Sequence, residues 1–391
     1  METFDQNTDE RLPLPIVILS FNRPAYLRQV LASLKPQIVR NDEIYLFQDG
    51  SWNDFSRRNK CKKQAIAECL DIFNEYFPGA KIFPSPTNLG IAGNYRRAEK
   101  YVFDTLKKDY ALFLEDDLVL GDNYLLVISD LLKLALRNPR IGYVSAYGNM
   151  WATLEEQEIL PGKLIQMHEN WGAAFTRTSW EAQKNIREKY WDLIHDCDYS
   201  QRDHCAIVHF YKDLGFNCIQ TSQDASRWVA TLAAQMVRLT TATCQARYIG
   251  ALGEHSDRTF YELHRFNKSV FSPKRPPVAM PADWEIEQWL QNDRDNFNNG
   301  YRHSYLSNPP ALAGWLGRAS ARERQNGFGA VLRAVATGPL PPARTPETRW
   351  QWRTARLRGK IFAALEGQPH LSGLAQFTLR IYRHCTRRGR T

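Results

Sequence analysis

The stretch Ala111–Asp117, ALFLEDD, constrains this chain more than any other. Ala111, Leu112, Phe113 and Leu114 run without a break into Glu115, Asp116 and Asp117. A short unbroken apolar run predicts a strand covered on both faces. Three adjacent carboxylates cannot enter a core unpaired. They are therefore expected at the strand's C-terminal end, where an open α/β sheet places its ligands. Like charges this close repel, and a divalent cation that also takes phosphate oxygens relieves the repulsion. A solvated acidic turn is the other reading of the triplet taken by itself.

The chain around this stretch alternates. LPIVILS (Leu14–Ser20) predicts a first buried strand, and Phe21-Asn22-Arg23-Pro24 turns into a helix, with Pro24 suited to a first helical position. Leu27, Val30, Leu31 and Leu34 recur at helical spacing before Pro36. EIYLFQ (Glu43–Gln48) predicts a second strand ending in the polar turn Asp49-Gly50-Ser51. A helical stripe (Ile66, Cys69, Leu70, Phe73, Phe77) and a short strand (Lys81–Phe83) follow. Asn88-Leu89-Gly90-Ile91-Ala92-Gly93-Asn94 reads as a Gly-bearing loop opening a helix with Tyr95, Ala98, Val102 and Leu106 inward. Its N–H groups, the positive end of the helix and Arg96 and Arg97 suit an anionic group; a plain turn and cap is the alternative. Tyr124–Leu136 predicts a helix and Ile141–Ala146 another strand. This order implies a mainly parallel sheet with helices on both faces.

Charge narrows the partners. Residues 343–391 hold eleven Lys and Arg against Glu347 and Glu366, which accounts for the whole net charge of +9 and leaves the rest of the chain neutral. A neutral body argues against a basic nucleic-acid groove. The basic tail, with Arg interleaved among Trp, Leu, Ile and Phe, reads either as a peripheral membrane contact or as a solvated helical cap. The seven cysteines form no CxxC and fit no zinc spacing, so they are expected as reduced thiols. The polar N-terminal stretch does not read as a signal peptide, and no apolar run reaches 18 residues, so a cytoplasmic protein is expected, peripheral on the inner membrane face where the tail docks.

VILSFNRPAYLRQVLASL, FQDGS, NLGIAGNYRRA and LFLEDD, in this order, resemble the first half of an inverting glycosyltransferase of the GT-A fold. The pattern is similar to family 2 transferases and to the N-acetylglucosaminyltransferase I type, whose metal motif is also written EDD. The resemblance spans residues 12–260. It implies an α/β, Rossmann-like, mainly parallel sheet with helices on both faces. It further implies a nucleotide-sugar site built from Ser20, Asn22, Arg23, Asp49, Asn88, Gly90, Asn94, Arg97, Glu115 and Asp116, with Asp117 and His255 on Mn²⁺ or Mg²⁺. HENWGAAF (His168–Phe175) is similar to the Trp-Gly segment of such enzymes, which puts Trp171 and Gly172 against the acceptor or sugar; a half-buried core aromatic is the other reading of Trp171. Thr221-Ser222-Gln223-Asp224 falls where the fold holds its general base, implying that role for Asp224. The family often has two acids there, whereas Gln223 stands before Asp224, and an Asp at a helix entry also reads as an N-cap. His204 and His209 lie five apart, not at the spacing of a helical metal pair, and read as structural.

The expected domains are a catalytic domain over residues 1–270, a Pro-rich linker over 271–282, and a mostly helical, basic C-terminal region over 283–391. The expected activity is metal-dependent transfer of a hexosyl or N-acetylhexosaminyl group, a UDP-sugar being the first donor to test, to a glycan or glycolipid acceptor of surface polysaccharide or glycolipid synthesis. A sugar nucleotidyltransferase also places carboxylates at strand ends, but it normally carries a Gly-rich loop after its first strand, where this chain has Ser20-Phe21-Asn22-Arg23-Pro24. A degenerate domain that only binds nucleotide-sugar, docked through the tail, is the third reading.

Overall fold

The structure is a computed structural model that describes residues 11–160, 162–218, 220–252, 261–262 and 266–307. His255 and the 343–391 tail lie outside the described residues. The described chain forms two compact units, one from residues up to 189 and 226–291, the other from 190–225 and 292–307.

The first unit is organised by β1 (Pro15–Ser20), every residue of which is buried. The apolar run that predicted it pairs in parallel with β2 (Glu43–Gln48) on one side and β6 (Tyr110–Glu115) on the other. Helix α1 (Pro24–Leu34) buries the predicted Leu27, Val30, Leu31 and Leu34. A two-residue-per-strand hairpin, β3 (Trp52–Asn53) and β4 (Arg58–Asn59), precedes α2 (Lys63–Tyr76) and the edge strand β5 (Lys81–Pro84). Beyond β6 come β7 (Leu118–Leu120), α4 (Tyr124–Arg137), β8 (Ile141–Ser145), the short α5 (Leu154–Ile159), β9 (Leu164–Gln166) and β10 (Ala173–Thr176). The eight-stranded sheet has the order β5-β2-β1-β6-β10-β8-β11-β9, with β11 at Val237–Thr241. Only β10 and β9 run antiparallel to their neighbours. This is the mainly parallel, helix-flanked sheet that the resemblance implies.

The helix after the Gly-bearing loop departs from the regular pattern. α3 (Gly90–Glu99) passes into a π-helical turn at Lys100–Thr105. The wider turn brings Val102 and Phe103 inward together, where a 3.6-residue stripe would pair Val102 with Leu106. Phe103 then packs on Phe113, Phe175 and Trp180.

The 271–275 stretch is bonded to the body. Ser272 N–H donates to the Cys244 carbonyl, Gln245 Nε2 to the carbonyls of Ser272 and Lys274, and Arg275 to both Asp130 oxygens. The polar run after Trp284 is helical throughout, from Asp283 to Ser307, because Ile286, Leu290 and Phe297 recur at helical spacing and are buried. In the second unit, α7 (His204–Asp213) holds His204 Nδ1 2.6 Å from Thr221 Oγ1, a structural contact. The described cysteines Cys61, Cys69, Cys197, Cys218 and Cys244 are free thiols.

Candidate active site

β1 lies between β2 and β6: the chain runs outward from β1 through β2 to β5, then crosses back to β6 and builds the sheet on the other side. Such a switch point opens a crevice at the strands' carboxyl ends. The register sets Leu19 beside Glu115, so Ser20–Arg23 and Glu115–Asp117 meet there.

Asp116 and Asp117 are nearly fully buried, at 2% and 4% exposure. Arg23 bridges them, with one guanidinium nitrogen on Asp116 Oδ1 and Nη1 2.7 Å from Asp117 Oδ2. The Phe21 N–H adds a 3.3 Å bond to Asp116 Oδ2. Arg23 thus relieves the repulsion that the sequence leaves to a cation. Burial works against the guanidinium charge, but Asp116 and Asp117 outweigh it and hold Arg23 above its ordinary range. Asp117 is pushed up by burial, with Arg23 pulling the other way. Its Oδ1 is buried and finds no hydrogen-bond partner. Glu115 is half-buried, its Oε1 3.5 Å from the Tyr95 hydroxyl.

Among the described residues, no group of three or more His, Cys, Asp or Glu is placed to hold a metal ion. The unsatisfied Oδ1 of Asp117 nevertheless fits a hard cation held by one carboxylate, the remaining positions falling to phosphate oxygens.

Asp49, at the end of β2, spends its carboxylate on the start of α3. Oδ1 accepts from the N–H groups of Gly50 and Leu89, and Oδ2 from Gly90 N–H and Asn88 Nδ2. Burial pushes its carboxyl up to about 6, against the pull of those backbone donors. Gly90 opens α3 at φ +68°, a left-handed position that favours glycine. Asn94 donates to the Phe47 carbonyl and accepts from Arg97 Nε, and Arg97 donates to the carbonyls of Gln48 and Phe83. These side chains fasten α3 across the ends of β2 and β5. Ser20 is buried, its carbonyl accepting from Asp49 N–H, and Asn22 is half-buried in the β1–α1 loop.

Trp171 and Gly172 precede β10, whose first residue Ala173 pairs with Phe113 of β6. The indole is half-buried and lies flat on Tyr248, with ring centroids 4.2 Å apart and planes at 6°. Tyr248 ends strand β12 (Ala246–Tyr248), which pairs with β7, and the next residue donates its N–H to the Asp117 carbonyl. Sequence reading missed Tyr248, because only this pairing brings it to the crevice. Gly172 has φ +57°, and a Cβ there would fall 2.1 Å from the Tyr124 hydroxyl. That hydroxyl donates to the Gly172 carbonyl, so the turn requires glycine.

Asp224 lies in the second unit, exposed in the first turn of α8 (Gln223–Ala233). The capping oxygen at that helix start is Ser222 Oγ, which accepts from Ala225 N–H. Gln223 Nε2 is 3.4 Å from Asp224 Oδ1.

Residues 16–175, from β1 into β10, match the model of glycosyl transferase family 2. The chain is a glycosyltransferase, similar to family 2 over this stretch. Three solved structures similar to this glycosyltransferase illustrate the range of its likenesses. Glucosyl-3-phosphoglycerate synthase from Mycobacterium tuberculosis, in complex with Mn²⁺, UDP and glucosyl-3-phosphoglycerate, is 15% identical over 48% of this chain and 68% of that chain, at a TM-score of 0.27. TarS from S. aureus is 13% identical over 90% of this chain and 55% of its own, at 0.32. The galactosyltransferase LgtC, in complex with donor and acceptor sugar analogues, is 13% identical over 73% of this chain and 96% of its own, at 0.32. No curated protein matches the chain.

Proposed function

We propose that this glycosyltransferase moves a sugar from a nucleotide-sugar, with UDP-sugars as the first donors to test, to a hydroxyl acceptor with inversion, in surface polysaccharide or glycolipid synthesis. The observation that carries the reading is the buried, unpartnered Oδ1 of Asp117 in the switch-point crevice. Asp117 and, outside the described residues, His255 would hold Mn²⁺ or Mg²⁺. When bound, such an ion supplies Lewis-acid stabilisation of the departing nucleoside diphosphate.

The chain's own residues do the rest. Arg23 keeps Asp116 and Asp117 in a fixed pair. Asp49 and Asn88 hold the start of α3 at the crevice. Glu115 and Asp116 face the nucleotide-sugar, and Trp171 with Gly172 borders the acceptor. A single displacement needs one carboxylate to accept the acceptor's hydroxyl proton, and Asp224 takes that role.

A thermal-shift screen of the full chain against UDP, GDP, CMP and dTDP sugars, with and without Mn²⁺, tests the donor and the cation together. One nucleotide class should stabilise the protein strongly, and only with the cation. Equal response to all, with or without cation, counts against the reading. Asp224→Asn keeps the shape of the side chain and leaves the Ser222 cap in place, but it cannot accept a proton. Turnover should fall by roughly 10²-fold or more with donor affinity retained. A variant that turns over at the parent's rate removes Asp224 from the base role.

A further inference from the structure

We propose that the β3–β4 hairpin and the adjoining start of α3 form a surface that docks the protein on an anionic bilayer, beside the crevice. Four large apolar side chains stand out there: Trp52 at 40% exposure, Phe55 at 46%, Leu89 at 40% and Ile91 at 39%. Scattered exposed apolar residues need no explanation, but these belong to two segments bonded to each other. Asn88 N–H donates to the Trp52 carbonyl at 2.6 Å, which sets Leu89 next to the hairpin's first strand.

The hairpin is braced from within. Asn53 is buried, its Oδ1 accepts from Ser56 N–H and Oγ, and its Nδ2 donates to the Asn88 carbonyl. Lys60 N–H closes the far end on the Ser51 carbonyl. Arg57 sits at φ +51°, an uncommon left-handed position for a non-glycine residue. The backbone thus holds Trp52 and Phe55 outward by specific bonds.

The same short segment carries Arg57, Arg58, Lys60, Lys62 and Lys63, against the single acid Asp54. Arg57, Arg58, Lys62 and Lys63 are exposed. Apolar tips with a cationic rim match a bilayer interface, where aromatics enter the headgroup layer and Lys and Arg meet anionic lipids. The surface sits at the carboxyl end of the sheet, so docking turns the crevice toward the membrane. Among the described residues no helix is long and apolar enough to cross one. The surface is separate from the basic stretch at 343–391.

The test is co-sedimentation of the full chain with vesicles of phosphatidylglycerol and phosphatidylcholine, and with vesicles of phosphatidylcholine alone. The parent should bind the anionic vesicles at low salt and release at high salt. Trp52→Ser with Phe55→Ser should weaken binding about tenfold or more. Arg57→Glu with Lys62→Glu should weaken it about thirtyfold or more. All four positions are exposed, and unchanged melting temperatures would confirm that the variants fold. Trp52→Phe should keep the affinity but lose part of the fluorescence quenching by brominated lipid tails. Absence of binding, or equal binding by all variants, overturns the proposal. So does binding that is stronger to a soluble polyanionic glycan and insensitive to Trp52 and Phe55.

Discussion

Asp117→Asn should abolish the Mn²⁺-dependent stabilisation by the donor nucleotide and lower sugar transfer by about 10³-fold. The reason lies in the two faces of this carboxylate. Oδ2 is held by Arg23 at 2.7 Å, whereas Oδ1 is buried and unpartnered. In the amide, the carbonyl oxygen turns toward the guanidinium and the NH₂ group fills the unpartnered side. A donor then points where a cation would sit, and one negative charge is gone. The fold should survive, because Arg23 still pairs with Asp116 and the Phe21 N–H still bonds it. Calorimetric titration with Mn²⁺ and UDP, beside a melting curve, reads both effects. Metal-dependent nucleotide binding at the parent's affinity would take Asp117 out of the site. A collapse in melting temperature would instead make it a structural partner of Arg23.

Glu99→Gln should cost about 3–5 kcal/mol of stability. Glu99 is 1% exposed and accepts from two guanidiniums, Arg187 of α6 (Arg177–Asp192) and Arg227 of α8, the latter at 2.7 Å. Arg227 is itself buried, its guanidinium carbon 3.8 Å above the Tyr95 ring. Removing the acid that the two guanidiniums share takes a charge partner from each and puts an amide N–H against one of them. Melting should drop by about 10 °C for a unit of this size. A shift of about 2 °C or less would mean that the two arginines find other partners and that the triad contributes little.

β1, β2, β5, β6 and β8 and the helices α1 to α4 were legible because their signals are local, whereas β7 and β9 to β12 were not read. Residues Leu14–Ser20 and Ala111–Leu114 are continuous apolar runs, and Leu27, Val30, Leu31 and Leu34 repeat at helical spacing. The place of the candidate site was legible too, since carboxylates after a buried run have to emerge at a strand end. The π-helical turn at Lys100–Thr105 was not, because packing of Phe103 on Phe113, Phe175 and Trp180 overrides the regular period.

The sequence by itself determined a mainly parallel sheet with an acidic crevice, through patterns of a few residues and their order. Only the tertiary structure decided how those acids are balanced. Arg23 meets Asp116 and Asp117 across a gap of some ninety residues, because β1 and β6 are neighbours in the sheet. Asp49 caps a helix that begins at Gly90, and Trp171 finds Tyr248 through the pairing of β7 with β12. Such contacts depend on which strands lie side by side. Charge, capping and stacking partners are chosen by that adjacency, and no periodicity within a single segment encodes it.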